Sequence, residues 1–274
     1  MAAADVALAG RTVLAVFAHP DDESLACGGT LARLSDLGAR VVLMCASSGR
    51  RGSVSDPNLV PDGDLGRVRT SELHEAARVL GIAEVLVFEH PDGDLRWADA
   101  PQFDREIVAA IQEYRADAVI TFAEDGLYWH VDHVGVHERT SDAVESLGDD
   151  APALYYVTMP HGVMRGVAET AVASGGTHLD TGFWGIVPDA FGVATQRPSF
   201  VVNVDEWVPR KLAALLCHRT QMGPNNPFTW IGPADARRLL AIEQFRRARP
   251  LHGASVLETL AQGTVRIDPT AEAP

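Results

Sequence analysis

Val16-Phe17-Ala18-His19-Pro20-Asp21-Asp22-Glu23-Ser24-Leu25-Ala26-Cys27 runs from an apolar segment straight into a cluster of acids. The apolar segment begins at residue 12 and ends at His19-Pro20. A short apolar run that meets proline and polar residues reads as a buried strand stopping at a loop. Three carboxylates and an imidazole then stand at the strand's C-terminal edge, where open α/β sheets place their ligands. Like charges crowded there repel, and a bound divalent cation is the simplest offset.

Outward from that strand, strand-like and helix-like patterns alternate. Strands are expected over residues 12–18, 41–45, 85–88, 118–122 and 154–158, and helices over 28–37, 65–80, 103–114 and 134–147. Strands apolar on both faces, separated by helices, imply parallel pairing through right-handed crossovers. The expected fold class is α/β, a Rossmann-like three-layer sandwich with a mostly parallel sheet and a C-terminal elaboration. No repeat or linker divides the chain, so a single domain over 1–274 is expected, with a core over about 12–160 and the elaboration over about 161–250. Within the elaboration a strand is expected over 200–204, then a helix capped at Asp205 over about 209–218, and a last helix over 233–248. Residues 47–64, rich in Gly, Ser, Pro and Asp, form a loop long enough to be functional.

Composition narrows the partners. A formal net charge of −14 argues against nucleic acid and anionic membrane, which need a basic surface. No stretch approaches the roughly 20 apolar residues of a membrane helix. The first ten residues lack the basic and apolar parts of a signal peptide. Cys27, Cys45 and Cys217 are odd in number and widely spaced, which favours a reduced, cytoplasmic protein over a disulfide scaffold. A homo-oligomer is left open.

His19 and Asp22 lie three apart, so one turn brings both onto one cation. Zn²⁺ accepts imidazole nitrogen and carboxylate oxygen at about 2.0–2.2 Å. Alternatively, the acids merely cap the next helix, which leaves His19 unexplained. The second constellation, His130-Val131-Asp132-His133 with His137 four residues on, follows the expected strand over 118–122. If the strands over 12–18 and 118–122 are neighbours, its imidazoles fall beside the first cluster. Two histidines and one aspartate leave a fourth tetrahedral position for water, the pattern of a catalytic zinc. His74, His90 and His178 read as surface or loop histidines. Trp129, Trp184 and Trp230 read equally as a sugar platform or as packing.

Together the two segments resemble the LmbE-like, or PIG-L, family of zinc-dependent N-deacetylases. Arg69-x-x-Glu72-Leu73 is similar to the family's RxxEL, Asp92-Gly93 to its DG, and Glu243-x-Phe245 to its ExF. Lys211-x-x-Ala214-x-x-x-His218-x-Thr220-Gln221 is similar to its KxxAxxxHxTQ. The chain departs at Trp129-His130-Val131-Asp132-His133, where the family usually writes Gly-His-Pro-Asp-His, and lacks an acid common in relatives within Ser47–Gly52.

The resemblance implies His19, Asp22 and His133 as metal ligands for Zn²⁺, with Fe²⁺ as the alternative. It implies Asp21 as general base and His130, protonated, as the group that stabilises or protonates the tetrahedral intermediate. Arg69, Tyr128 and Asp92 are expected at the substrate, while Asp132 and His218 support the site from behind. The implied reaction removes acetyl from a small-molecule N-acetylglucosamine-type substrate through a zinc-activated water. The alternative is a zinc amidase or deacylase acting on a thiol conjugate or an antibiotic intermediate.

Overall fold

A computed structural model describes residues 7–97, 100–176, 183–193, 197–248, 253 and 255–261. His178 and the segment 268–274, read from sequence as a surface or loop histidine and a frayed end, lie outside them. Seven strands form one sheet: β1 (Thr12–Phe17), β2 (Arg40–Cys45), β3 (Glu84–Val87), β4 (Ala118–Phe122), β5 (Ala153–Thr158), β6 (Phe200–Asn203) and β7 (Ile242–Arg247). Their order is β3-β2-β1-β4-β5-β7-β6. The first five strands are parallel and β7 is antiparallel to both its neighbours, as expected for a mostly parallel sheet. The elaboration therefore completes the sheet instead of standing apart from it.

β1, β2, β4 and β5 are almost wholly buried, which explains their unbroken apolar runs. Helices α1 (Asp22–Asp36), α2 (Leu65–Leu80) and α7 (Val208–Cys217) pack on one another, and α3 (Ala100–Tyr114) packs on α5 (Val131–Glu145). Between β4 and α5 lies a single turn, α4 (Gly126–Trp129). Chain direction along the sheet reverses between β1 and β4, with β2 on one side and β4 on the other. This is the switch point at which such sheets bind ligands.

Four local expectations need correction. The helix expected from residue 28 is the second half of α1, which begins at Asp22 and breaks at Cys27 (φ −149°). That second half is capped from a distance: Glu243 accepts from Gly29 N at 3.0 Å and Thr30 N at 2.7 Å. Lys211, the chain's only lysine, neutralises Glu243 at 2.6 Å. The helix expected over 233–248 stops early: α8 spans Pro233–Leu240 and is followed by β7. In β7 Glu243 and Phe245 turn inward at a period of two, and the strand satisfies the free edge of β5. α6 (Val163–Ala173) was not expected at all; its glycine-rich surroundings hide its apolar face. Finally, Asp205 opens a 3₁₀ turn before α7 and caps nothing with its side chain.

Candidate active site

The loops after β1 and β4 bring the two sequence clusters together. His133 stacks on Phe122, ring centroids 4.2 Å apart and planes 4° from parallel. Its Nδ1 donates to the Gly126 carbonyl at 2.9 Å, which turns Nε2 toward the acids that follow β1. Gly126 is needed for this approach: its φ is +52°, and a Cβ there would lie 2.6 Å from His133 Cβ. His133 Nε2 is buried, has no hydrogen-bond partner among the described residues, and lies 3.1 Å from Asp22 Oδ1. An imidazole nitrogen and a carboxylate oxygen this close are two donors that one cation can bridge.

His19 shows the same logic. Its Nε2 lies 2.9 Å from Asp132 Oδ2 and 3.3 Å from Asp92 Oδ1, so that nitrogen donates. Its Nδ1 then faces Asp22 Oδ2 at 3.6 Å. Asp132 is itself pinned by the backbone N–H groups of Gly93 at 2.7 Å and Leu95 at 2.9 Å. A carboxylate behind an imidazole is the usual support of a metal-ligating histidine. His19 Nδ1, an Asp22 oxygen and His133 Nε2 therefore fit a borderline divalent metal in donor type and in orientation. His130 also lies within reach of such an ion together with His19 and His133.

Charge in this cluster is set by burial against pairing. Burial works to lower His19, but Asp132, Asp92 and Asp22 outweigh it and raise its pKa to about 10. Burial works to raise Asp22, but the His133 and His19 imidazoles hold it well below the carboxylate range. The metal-free protein thus keeps an extra proton on His19 through neutral pH, and a cation at Nδ1 must expel it. Metal affinity is expected to rise about tenfold per pH unit below pH 10, with about one proton released per ion. Calorimetry at pH 7 in buffers of different ionisation enthalpy reads that proton; an apparent binding enthalpy independent of buffer would contradict it.

Asp21 and His130 flank the ligand cluster. Burial raises Asp21 to about 6 even though the Arg69 guanidinium, 3.1 Å away, pulls it down. His130 Nδ1 accepts from Asp132 N at 3.2 Å, so the neutral ring carries its proton on Nε2. Burial and the His133 and His19 rings push His130 down to about 4. In the metal-free protein these surroundings work against the charged form that the resemblance implies for this ring.

A cavity of about 410 Å³ opens over these groups, a usual size for a small-molecule site. Asp21, Asp22, His19, His130, Arg69, Asp92 and Tyr128 all line it. Arg69 is buried, with Nη2 donating to Pro20 O at 2.5 Å and Nη1 to Gly49 O at 3.0 Å. Asp92 accepts from Arg51 N at 2.6 Å. Tyr128 lies edge-on to His130 and His133. His218 does not reach the cavity; its Nε2 meets Glu23 Oε1 at 2.9 Å.

The sequence reading missed Arg51, Ser53 and Gln221 in the lining. Gln221 closes the KxxAxxxHxTQ segment and donates to Ser53 O at 2.8 Å, the signal that could have found it. Of the three tryptophans, Trp184 lines the cavity and the others do not. His137 bonds Phe122 O at 2.9 Å and packs on Tyr156. His90, read as a surface or loop histidine, lies in the loop after β3, where it packs on Phe103 and bonds Glu106 at 2.5 Å.

The PIG-L family, described as GlcNAc-PI de-N-acetylase, matches residues 14–144. A deacetylase of 1D-myo-inositol 2-acetamido-2-deoxy-α-D-glucopyranoside from Acidothermus cellulolyticus is 31% identical over 260 residues, covering 86% of this chain and 88% of that one. The chain belongs to the PIG-L family. PIG-L proteins are metal-dependent deacetylases, hydrolases of N-acetyl amides, as the resemblance implied. Solved structures with the PIG-L fold include N,N'-diacetylchitobiose deacetylase from Pyrococcus horikoshii (TM-score 0.58, 22% identity, 87% of this chain and 84% of that one). They also include the 4-carboxy-2-hydroxymuconate hydratase GalB from Pseudomonas putida (TM-score 0.59, 19% identity, 90% and 99%). Since a hydratase shares the PIG-L fold, the fold alone does not set the reaction. Trp129, just before the His130-Val131-Asp132-His133 segment, sits at φ +65°, a strained position for a side chain.

Proposed function

We propose that this protein is a Zn²⁺-dependent N-deacetylase that removes acetyl from an N-acetylglucosamine-type small molecule. His19, Asp22 and His133 hold the ion in this reading, with Fe²⁺ as the alternative metal. The observation that carries it is the buried His133 Nε2, without a hydrogen-bond partner among the described residues and facing Asp22, beside a cavity that Asp21 and His130 also line. When bound, the metal supplies Lewis acidity, acidifying water and polarising a carbonyl.

Asp21 takes the proton of the attacking water; a carboxylate near 6 is matched to that task at neutral pH. His130 donates Nε2–H to the oxygen on which charge develops, as a neutral imidazole held by the Asp132 backbone. Asp21 then returns its proton to the leaving nitrogen as the C–N bond breaks, giving acetate and a free amine. Arg69 keeps Asp21 in place and excludes water behind it, and Asp92 and Tyr128 meet the sugar. Among the described residues no helix is long and apolar enough to cross a membrane.

The test is metal analysis coupled to acetate release. Purified protein loaded with Zn²⁺ or Fe²⁺ is expected to release acetate from N-acetylglucosaminides, including the inositol glycoside, and to lose that activity on chelation. Release from cysteine-conjugate amides alone would establish the amidase alternative. No acetate from any of them with one metal per chain would end the proposal.

A further inference from the structure

We propose that Glu23 is a positioning residue for Asp21: braced by His218, its carboxylate holds the Pro20–Asp21 peptide in the turn that presents Asp21 to the cavity. The proposal rests on the reading of Asp21 as the base.

Asp21 has φ +121° and ψ −24°, a conformation that L residues rarely adopt and that lasts only where the surroundings dictate it. Both polar ends of the preceding peptide are held. Its carbonyl, Pro20 O, accepts from Arg69 Nη2 at 2.5 Å. Its N–H, on Asp21, donates to Glu23 Oε2 at 3.0 Å. Glu23 is itself fixed: Oε1 accepts from Ser24 Oγ at 2.5 Å and from His218 Nε2 at 2.9 Å. His218 is fully buried, and its Nδ1 has no partner among the described residues, so the ring's one side-chain hydrogen bond goes to Glu23.

The simpler account makes Glu23 a capping-box acid that reaches back to the N–H of the N-cap residue, Asp21. An ordinary cap residue has extended backbone and bonds the helix with its own side chain. Asp21 does neither. Its carboxyl is withheld from the helix and left for the cavity. A histidine 195 residues away on the C-terminal segment is also more than a helix cap requires.

The experiment is a double-mutant cycle on Zn²⁺-loaded protein with the N-acetylglucosaminyl inositol glycoside. Glu23→Ala is expected to lower kcat by about 10²-fold, the cost of a small misplacement, with KM and metal content unchanged. Glu23→Gln, whose amide oxygen still accepts from Asp21 N, should recover most of that loss. In an Asp21→Asn background the Glu23→Ala loss should shrink to about threefold or less, because the group being positioned no longer works. An equal loss in both backgrounds, a loss of metal with Glu23→Ala, or a kcat within about threefold of wild type overturns the proposal. Should Glu23→Ala fail to fold, Glu23→Gln serves in its place, with a smaller loss that must likewise vanish beside Asp21→Asn. An active Asp21→Asn would instead overturn the base assignment itself, and the positioning role with it.

Discussion

Asp21→Asn is expected to keep its metal and lose about 10²–10⁴-fold in turnover, the range a placed general base contributes. Asparagine preserves the shape of the side chain and is among the residues that tolerate positive φ, so the turn at +121° survives. What is lost is basicity: an amide cannot take a proton from water. The Arg69 contact at 3.1 Å can persist through the amide oxygen, which keeps the cavity wall intact. The pH profile gives a second reading. Asp21 works as the carboxylate, so kcat/KM should fall tenfold per unit as pH drops below its pKa of about 6. A cation beside Asp22 draws that value down, which places the acid limb at or below 6. In Asp21→Asn this limb should disappear. Full zinc with near-normal acetate release would show that another group takes the proton.

The chemistry of this chain was more legible in its sequence than the machinery that supports it. The resemblance implied His19, Asp22 and His133 as one set, on the condition that strands 12–18 and 118–122 are neighbours, and β1 does pair with β4 directly. It implied Asp132 as support for an imidazole, and the structure shows which one: His19. Local patterns of hydrophobicity carry that much, because each strand is apolar throughout and each cluster sits where a strand stops. Other parts depend on residues far apart. The break in α1 at Cys27 is stable because Glu243, from β7, caps Gly29 and Thr30, and no window of sequence contains both ends. β7 itself was read as helix, since Ile242 to Arg247 directly continues a helical run and only the open edge of β5 decides otherwise. The KxxAxxxHxTQ segment makes sense residue by residue in three dimensions. Lys211 neutralises Glu243, His218 braces Glu23, Thr220 binds Glu72 through N at 2.9 Å and Oγ1 at 2.6 Å, and Gln221 holds the Ser53 loop. Its residues tie α1 and α2 together behind the cavity. The downward pull on the His130 pKa has a related origin: it comes from burial beside two other imidazoles, which a linear motif does not show.

His133→Ala should abolish metal binding and hydrolysis together, which separates it from Asp21→Asn. The ring offers a buried nitrogen with no hydrogen-bond partner among the described residues, and alanine offers nothing in its place. Losing an outer partner such as Asp132 typically costs 10–100-fold in metal affinity; losing a ligand from a three-residue set should cost more than that. Thermal unfolding supplies a reading independent of activity. Metal that binds only the folded chain stabilises it by RT ln(1 + [L]/Kd), about 2.7 kcal/mol at a hundredfold excess over Kd. Wild-type protein should therefore melt at a higher temperature as Zn²⁺ is added, and chelator should reverse the gain. In His133→Ala the melting temperature should stay flat across the same titration. The metal-free variant should still fold, because β4 and the start of α5 retain Phe122, Val134 and Val136 in the core, although the lost stack on Phe122 costs some stability. Asp22 would then keep His19 as its only imidazole neighbour among the proposed ligands, and two donors do not close a tetrahedral site. A His133→Ala protein that carries one zinc per chain and releases acetate at the wild-type rate would mean that His130, already within the cluster, holds the ion instead.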